Sequence, residues 1–521
     1  MTATAPSSTI GPPTLGAPTV APLWRAPGFF ALLTGFYLVH VLLRPWLTAT
    51  AGSDDVDQLF FSQALVAGYD VVQQPLYSWL VWGATKVLGP TIAAAAFVKY
   101  TLLFAIHAMT YSVAGRFVRD ERTRFMCGFS PLLIYPLAWR IHEADTHGLL
   151  ATVIMLAILW QALRMEGTRR WLDYVLLGVL AGLALLTSLY LLIGIVALGF
   201  ALRLDPRHAR TVTDTKLALS IGAAMIVFFP YGYWLATHIY EALASLDVEL
   251  RSGLEATFGT RIVRGLMSLA AAAILSIFPL WLFVPLIVPR TATRLGADPD
   301  ERLILTYALV AIGLLLLFLV TLGIAEFSHF RLYPVFWPLT FYLFRRIDRA
   351  GFPPRRFRFM GALLLAVFVM VVQLRIQQIF VGPAYCKTCR LQAPYPQIAA
   401  KLSAAGFAGK GTILADDEYL AGNMRVQFPE ARVMAARYPL FRPPQGPERA
   451  QCLVVWHAEQ GQRLPARLSA LARHATGTAV PDGPAPAVVS AVVPYSDTAL
   501  ARKREITVAY RLVESNLGTC R

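Results

Sequence analysis

The sequence predicts a polytopic α-helical membrane protein of about eleven spans, followed by a C-terminal α/β domain. Hydrophobic residues make up 56% of the chain and charged residues only 15%, and the mean hydropathy is +0.54. Apolar runs recur at 28–43, 149–163, 221–235 and 303–320. Runs of this length suit membrane spans, completed where short by interfacial flanks. The composition therefore argues against a soluble globular protein.

The distribution of charge between the apolar runs predicts the orientation of the chain. Hydropathy places span starts near Pro27, Thr91, Arg124, His147, Trp171, Leu189, Lys216, Arg264, Arg302, Arg331 and Phe359. With a cytoplasmic amino terminus, the arginine-rich loops, such as 345–358, lie inside, as the positive-inside rule requires. The net charge of +16 then reflects topology, because the basic residues form no aromatic-interleaved patch for nucleic acid. We expect a multi-pass protein of the bacterial inner membrane.

Composition also predicts three regions. Residues 1–26 lack the basic start and cleavage site of a signal peptide, so we expect a disordered cytoplasmic lead into a signal-anchor span. Residues 27–382 form the transmembrane domain, with periplasmic juxtamembrane helices at 54–68 and 75–89. Residues 383–521 lie in the periplasm, where β-like runs alternate with helical runs in an α/β domain. The predicted strands are 411–415, 432–435, 452–456, 488–493 and 506–513, and the predicted helices are 394–405 and 417–426.

Four of the five cysteines lie in the C-terminal region: Cys386, Cys389, Cys452 and Cys520. An even number of cysteines on the oxidising side of a membrane favours disulfides. The CxxC spacing of 386–389 leaves a zinc site or thiol exchange as the alternative. The fifth, Cys127, is expected to be a small core residue.

An acidic loop follows the first span at Ser53-Asp54-Asp55-Val56-Asp57. Ser53 is a candidate helix cap, and acidic residues in a first helical turn favour the helix dipole, which is the purely structural interpretation. A carboxylate at the membrane surface also suits a general base. Asp54 is the first choice of base and Asp55 the alternative, whereas Asp57 is expected to be solvated.

Other polar groups on the same side supply complementary chemistry. A lipid-linked sugar phosphate requires positive charge, for which the candidates are Lys99, Arg140, His329 and Arg331. The arginines also suit interfacial anchors, and Lys99 could snorkel. The stretch His142, Glu143, Asp145 and His147 superficially looks like a metal cluster, but it lacks His-Glu-x-x-His spacing. Asp145 is therefore assigned to acceptor binding or to support of the site.

The order of these motifs resembles the GT-C membrane glycosyltransferases of glycosyltransferase family 39, which include protein O-mannosyltransferases and aminoarabinose transferases. The acidic pair Asp54-Asp55, the turn Gln74-Pro75-Leu76 and the stretch His329-Phe330-Arg331-Leu332-Tyr333-Pro334 look like landmarks of that family. The stretch 412–421 resembles the start of its outer domain. The resemblance covers about residues 27–433.

The resemblance implies an inverting transferase that uses a polyprenyl-phosphate monosaccharide donor. By the resemblance, Asp54 would be the catalytic base, Asp55 its neighbour in the acidic pair, and Arg331 a contact of the donor phosphate. Their position on the same side adds Lys99, His329 and Arg140 as candidates for donor-phosphate binding, and Asp145, His142, Glu143 and Tyr333 as candidates for binding or supporting the acceptor. The implied partners are the lipid-linked donor, membrane lipid and a glycolipid, polysaccharide or protein acceptor. No nucleic acid, metal-binding residue or definite cofactor is implied, and a divalent metal stays an open alternative.

Two other classes of function compete with a transferase. A transporter or lipid flippase would show repeated halves with broken spans in matching positions, and no convincing repeat is present. A non-catalytic envelope-assembly protein of the same fold is the other alternative. Ser188, where the family often has a lysine, is one departure that bears on the donor.

Overall fold

A computed structural model describes residues 23–251, 257–385, 390–444, 451–458, 463–476, 486–496 and 503–513. A helical bundle extends to residue 385, and a domain with a five-stranded mixed sheet follows it. The helices of the bundle are α1 (Ala26–Leu47), α2 (Ser53–Phe61), α3 (Leu76–Leu88), α4 (Ile92–Phe117), α5 (Glu121–Phe129), α6 (Tyr135–Ala138), α7 (His147–Thr168), α8 (Trp171–Leu185), α9 (Leu191–Leu204), α10 (Ala209–Thr213), α11 (Leu217–Thr237), α12 (Ile239–Arg251), α13 (Phe258–Ser276), α14 (Leu280–Ile287), α15 (Pro299–Leu322), α16 (His329–Phe336), α17 (Leu339–Ala350), α18 (Pro354–Phe380) and α19 (Gly382–Tyr385).

The bundle has the dimensions of a multi-pass membrane protein. Within the described residues, seven helices are long and apolar enough to cross a membrane: α1, α4, α7, α11, α13, α15 and α18. The apolar helices α8 and α9 are shorter. In α7, 72% of the apolar window is buried, against 11% in α11. Helix α7 is therefore a central element of the bundle, and the turn before it is rigidly placed.

All eleven apolar segments identified in the sequence contain helical structure, but three of them, near Arg124, Arg264 and Arg331, are interrupted. The segment that starts near Arg124 divides into α5, a 3₁₀ turn at Ser130–Leu133 and α6. Pro131 and Pro136 stand at the starts of the second and third pieces, where a missing N–H costs nothing. The segment near Arg331 divides into α16 and α17 around Pro338. The total number of spans stays a prediction.

The two juxtamembrane helices differ in how well they match their predicted bounds. The helix predicted over 54–68 is α2, which ends at Phe61. The chain turns there because the Ser62 hydroxyl donates to the Leu59 carbonyl at 2.7 Å, and Tyr69 then packs on Phe61 with ring centroids 4.9 Å apart. The helix predicted over 75–89 is α3, which ends before Gly89, a residue with a φ of +70°.

The C-terminal domain is a mixed sheet with helices on both faces. Its strands are β1 (Gly411–Ala415), β2 (Arg432–Ala435), β3 (Gln451–His457), β4 (Ala487–Val492) and β5 (Glu505–Val513), in the order β2-β1-β3-β5-β4. Strand β1 is parallel to β2 and β3, whereas β5 is antiparallel to β3 and β4. Its helices are α20 (Tyr395–Ala404), α21 (Glu418–Gln427) and α22 (Ala466–Thr476). All five predicted strands and both predicted helices of this region are present.

Alternate residues of β1 enter two different cores, as the period of a strand requires. Leu414 packs with Trp456 and Leu468 of α22. Ile413 packs in the opposite core, which also contains Phe60 and Phe61 of α2. The helix that carries the acidic loop is therefore part of the hydrophobic core of the C-terminal domain.

The two cysteines that the structure describes differ in oxidation state. Cys452 is disulfide-bonded. Cys127 is a buried free thiol in the core of the bundle. The predictions for Cys386, Cys389 and Cys520 fall outside the described residues.

Candidate active site

The Asp54 carboxylate projects from the first turn of α2 toward the turn that precedes α7. Its Oδ2 accepts hydrogen bonds from the backbone N–H groups of Asp145 at 2.8 Å and Thr146 at 3.3 Å. The Ser53 hydroxyl donates to its Oδ1 at 3.2 Å. Hydrogen bonds from several donors to an ionised group are strong and directional, so the orientation of this carboxylate is fixed.

Ser53 does not cap α2, contrary to the expectation from sequence. The helix begins at Ser53, Gly52 occupies the capping position, and Ser53 has a φ of +28°. Its hydroxyl bonds to the neighbouring Asp54 side chain rather than to a backbone N–H of the first turn. The role of Ser53 is therefore to orient Asp54.

Asp145 lies in a tight turn directly beside Asp54. It adopts a φ of +68°, a left-handed conformation that costs energy for a residue with a side chain. Its Oδ1 accepts a hydrogen bond from the Gly148 N–H at 3.1 Å. A Cβ on Gly148 would lie 2.3 Å from that oxygen and 2.6 Å from the Tyr333 hydroxyl, so only glycine fits. The turn thus presents two adjacent N–H groups to Asp54.

The environment of Asp145 makes it a weak acid. Burial and, second, the charge of Asp54 raise the pKa of Asp145 to about 7, while a hydrogen bond from the Tyr333 hydroxyl opposes the shift. Its Oδ2 is buried without a hydrogen-bond partner within the described residues. Two adjacent carboxyl groups in different environments are typical of sites that move protons.

A cavity of about 750 Å³ opens beside these two carboxyl groups. Its polar end is formed by Asp54, Arg140, Asp145, His147 and Arg331. Its apolar part is formed by residues that include Leu192, Leu235, Leu243, Leu315 and Phe318. A cavity with charged groups at one end and an apolar wall at the other suits an amphipathic ligand.

Two arginines flank the polar end of the cavity, and an aromatic ring holds each of them. The Arg140 guanidinium lies 4.9 Å from the ring centroid of Phe330, and that of Arg331 lies 5.5 Å from the ring centroid of Tyr190. Both arginines line the cavity. Guanidinium groups placed in this way suit the recognition of phosphate.

His147 closes the polar end in a defined tautomer. Its Nε2 lies 3.1 Å from the Gln74 carbonyl oxygen, and its Nδ1 lies 3.1 Å from the Thr146 hydroxyl. A carbonyl can only accept, so Nε2 carries the proton in the neutral ring and Nδ1 accepts from Thr146. Through its hydrogen bond to the Gln74 carbonyl, His147 therefore connects the loop before α3 to the start of α7.

Comparisons with known proteins agree with this architecture. Residues 72–234 match the family model described as dolichyl-phosphate-mannose-protein mannosyltransferase. Over 449 residues the chain is 28% identical to the lipopolysaccharide core galacturonosyltransferase RgtA of Rhizobium johnstonii, covering 82% of this chain and 86% of that protein. RgtB of the same organism is 28% identical over 468 residues, covering 87% and 92%.

Solved structures give the fold. ArnT from Cupriavidus metallidurans bound to undecaprenyl phosphate superposes with a TM-score of 0.57 at 15% identity, covering 93% of this chain and 98% of ArnT. Its apo form gives a TM-score of 0.51 at 16% identity, with the same coverage of both chains. This chain is a membrane glycosyltransferase with the GT-C fold.

Asp55 and Lys99 of the transferase lie outside the cavity. Lys99 Nζ is 2.7 Å from Asp55 Oδ1, and both side chains are almost completely buried. The sequence suggested a catalytic role for Asp55 and a phosphate contact for Lys99. The structure instead pairs them, because successive residues of a helix point in different directions and Asp55 faces α4 while Asp54 faces the cavity.

The polar side chains of the stretch 142–147 do not form one cluster, because they contact different helices. His142 Nδ1 lies 3.0 Å from the Tyr100 hydroxyl, and Glu143 accepts a hydrogen bond from Gln378 at 2.8 Å. Neither residue lines the cavity. Both side chains instead connect the Asp145 turn to α4 and α18 of the transferase, and their role at an acceptor stays a prediction.

Tyr333 and His329 belong to the surroundings of the site. Tyr333 is buried beside the Asp145 carboxyl, on α16. His329 stacks on Phe330 at 3.8 Å between ring centroids, and burial and then Arg140 lower its pKa. His329 does not line the cavity, although Phe330 and Arg331 do. Of the four residues predicted to bind phosphate, the two arginines thus line the cavity.

Several functional residues escaped the sequence interpretation. Tyr190 lines the cavity and contacts Arg331, and it is not among the residues named from the sequence. Gln74 lines the cavity and contacts His147, and it is named from the sequence only as part of a family landmark. Asp57, expected to be solvated, accepts a hydrogen bond from Gln73 at 3.3 Å. Burial raises the pKa of Asp57 to about 7, against hydrogen bonding from Tyr438 of the C-terminal domain. No local pattern links residues so far apart in sequence.

Proposed function

We propose that this chain is an inverting transferase that moves a monosaccharide from a polyprenyl-phosphate donor to an acceptor outside the cytoplasm. The observation that carries the proposal is the position of Asp54, whose fixed carboxylate lines a cavity with two arginines at its polar end. This arrangement offers a base, a site for a departing phosphate and an apolar wall for a lipid.

The apolar wall supports a lipid-linked donor. An apolar groove of about 650 Å³ lies next to the cavity, and Leu192 lines both. The groove lies among α7, α8, α9 and α11 and extends to Arg203 at the far end of α9. A groove along membrane-spanning helices suits an isoprenoid chain, and the related fold of ArnT was solved with undecaprenyl phosphate bound.

The proposed reaction requires one proton transfer and one displacement. The acceptor hydroxyl loses its proton to Asp54 as its oxygen attacks the anomeric carbon of the donor sugar. The bond from that carbon to the phosphate oxygen breaks on the opposite side, so the configuration inverts. The bond electrons leave with the polyprenyl phosphate, whose added charge Arg140 and Arg331 stabilise.

The names of the two relatives indicate which sugar is transferred and which acceptor receives it. RgtA and RgtB are named for galacturonic acid transfer to the lipopolysaccharide core, and both match more than four fifths of this chain. We infer a galacturonosyl donor and a lipopolysaccharide core acceptor. Lipid A, another polysaccharide and a protein hydroxyl are the competing acceptors.

The same relatives and the charge distribution support the compartment. A lipopolysaccharide acceptor implies the inner membrane of a bacterium that also has an outer membrane. The arginine-rich loops then lie in the cytoplasm, and the Asp54 cavity and C-terminal domain lie in the periplasm. A polyprenyl-linked donor suits this side, because nucleotide sugars are confined to the cytoplasm.

The direct test is transfer by the purified protein in lipid nanodiscs. The donor is radiolabelled polyprenyl-phosphate galacturonic acid, and the acceptors are lipopolysaccharide core, lipid A, a neutral polysaccharide and a hydroxyl peptide, assayed separately. We expect label on the core acceptor, with anomeric inversion by NMR. Label on a different acceptor corrects the acceptor assignment. Movement of donor across proteoliposomes without transfer supports a transporter and contradicts the proposal.

A further inference from the structure

The chain segment that carries Asp54 is held at its start by the C-terminal domain. The Thr48 hydroxyl donates to the Leu391 carbonyl at 2.8 Å, and the Thr50 hydroxyl donates to the Ala393 carbonyl at 2.7 Å. Both acceptors precede α20. The link between α1 and α2 therefore lies directly against the C-terminal domain rather than crossing open solvent.

A further attachment, just before Asp54, is made by Asn423 on α21. Its Oδ1 accepts a hydrogen bond from the Ala51 N–H at 2.9 Å, and its Nδ2 donates to the Ala51 carbonyl at 3.2 Å. Nδ2 also donates to the Tyr419 carbonyl of its own helix at 2.9 Å, and the side chain is fully buried. Only a side-chain amide offers a donor and an acceptor at this spacing.

Close packing of α21 against α2 at Val56, about one helical turn beyond Ala51, reinforces the attachment. A Cβ on Gly422 would lie 2.4 Å from the Val56 carbonyl oxygen and 2.7 Å from its carbonyl carbon. Helices α21 and α2 thus touch through their backbones. No side chain could occupy this position without moving the turn that contains Asp54.

The segment is also held beyond the far end of α2. Gln63 Nε2 donates to the Val433 carbonyl at 3.0 Å, and the Val433 N–H donates to Gln63 Oε1 at 2.8 Å. The Gln63 side chain in this way pairs with the free edge of β2 as a further strand would. Asp54 lies between these two attachments, at Ala51 and Gln63.

From these contacts we propose that Asn423 is a positioning residue for the transfer reaction, and that the C-terminal domain is part of the catalytic apparatus. Asn423 holds Ala51 so that Asp54 meets the N–H groups of Asp145 and Thr146. The proposal rests on the proposed function, because it requires Asp54 to act as the base. Catalytic groups must be held within a fraction of an ångström, and displacement by about 1 Å costs about 100-fold in rate.

The test compares variants of the full-length protein in nanodiscs. Asn423→Ala removes both bonds to Ala51, and Asn423→Asp keeps an acceptor for the Ala51 N–H but sets an oxygen against the Ala51 carbonyl. Gly422→Ala displaces α2 by an independent route. The matched control is Gln397→Ala, which removes an exposed amide on the neighbouring helix α20. The readouts are kcat, the KM for donor, and amide hydrogen exchange over residues 48–57.

All three variants are expected to lower kcat by about 100-fold with the KM for donor unchanged, because the arginines that bind phosphate stay in place. Hydrogen exchange over 48–57 is expected to accelerate in the two Asn423 variants and not in Gln397→Ala. Wild-type kcat in a folded Asn423→Ala overturns the proposal. If that variant does not fold, Gln63→Ala replaces it and must lower kcat in the same way.

Asp54→Asn, measured in parallel, separates the two levels of inference. Full activity in Asp54→Asn contradicts the proposed function itself. An inactive Asp54→Asn together with a fully active Asn423→Ala leaves the proposed function in place and overturns only the positioning role.

Discussion

The carboxylate of Asp54 accepts a hydrogen bond of 2.8 Å from the backbone N–H of Asp145, which places two carboxyl groups at one turn. Asp54 is fixed by that bond, and its charge is one of the causes that raise the pKa of Asp145 to about 7. The two residues are thus electrostatically coupled as well as joined.

The first prediction concerns that coupling. Asp54→Asn removes a negative charge beside Asp145, so the pKa of Asp145 should fall below about 7 while burial still holds it above the usual value for an aspartate. Infrared titration of the carboxyl band measures this pKa, with Asp145→Asn identifying the band. An unchanged pKa in Asp54→Asn contradicts the coupling.

The second prediction concerns stability and pH at Asp57. Burial raises the pKa of Asp57 from 3.8 to about 7 in the folded protein. Its protonated form therefore stabilises the fold below pH 4, and this contribution is lost as the pH rises through about 7. Asp57→Asn cannot ionise, so its melting temperature relative to wild type should increase from pH 4 to about pH 7 and level off above that. A difference that is constant over this range contradicts the account.

The third prediction concerns the buried Asp55–Lys99 ion pair. Asp55→Asn or Lys99→Met leaves one buried charge without its partner, so each should destabilise the protein by about 3–5 kcal/mol. The apolar double variant Asp55→Leu with Lys99→Met should recover most of that loss. Unfolding in mixed detergent micelles measures the stabilities. The KM for donor should stay at the wild-type value in the double variant, and an increased KM would restore Lys99 as a phosphate contact.

The fourth prediction concerns the two arginines of the cavity. Arg140→Met and Arg331→Met should each weaken donor binding by about 10- to 100-fold, the worth of a charge-assisted hydrogen bond. Arg302→Met removes an exposed guanidinium elsewhere in the bundle and serves as the control. Binding of polyprenyl phosphate to the purified variants, measured by native mass spectrometry, gives the affinities. Equal affinity in all four proteins excludes the arginines from the phosphate site.

The sequence predicted the architecture well because its signals are local. Apolar length identified the helices of the bundle, and the β-like runs gave strands such as Gly411–Ala415 and Arg432–Ala435 at their observed bounds. Asp54, Asp145, Arg140 and Arg331 were all named from their order along the chain, and the structure brings all four to one cavity. Their roles in transfer stay a prediction.

The partners of the candidate residues were beyond sequence reasoning. The sequence predicts a phosphate contact for Lys99 and a role as base for Asp55. It does not show that α2 points the Asp55 side chain toward α4 and the Asp54 side chain toward the cavity. The sequence predicts a solvated Asp57 because it does not show that the chain folds back to bring Gln73 to this carboxyl, or that Tyr438 of the C-terminal domain contacts it. The positioning role proposed for Asn423 has no signal in the sequence, because a buried asparagine on an amphipathic helix has the same sequence pattern as a solvent-exposed polar residue.

The most direct test of the account is the single-turnover rate of Asp54→Asn with saturating donor and acceptor. Asn keeps the size of the side chain and removes the base, so transfer should slow by about 100- to 10,000-fold while donor affinity is unchanged. The matched control is Glu430→Gln, an exposed carboxyl on the C-terminal domain, which should transfer at the wild-type rate. A wild-type rate in Asp54→Asn would contradict the central claim that Asp54 takes the acceptor proton.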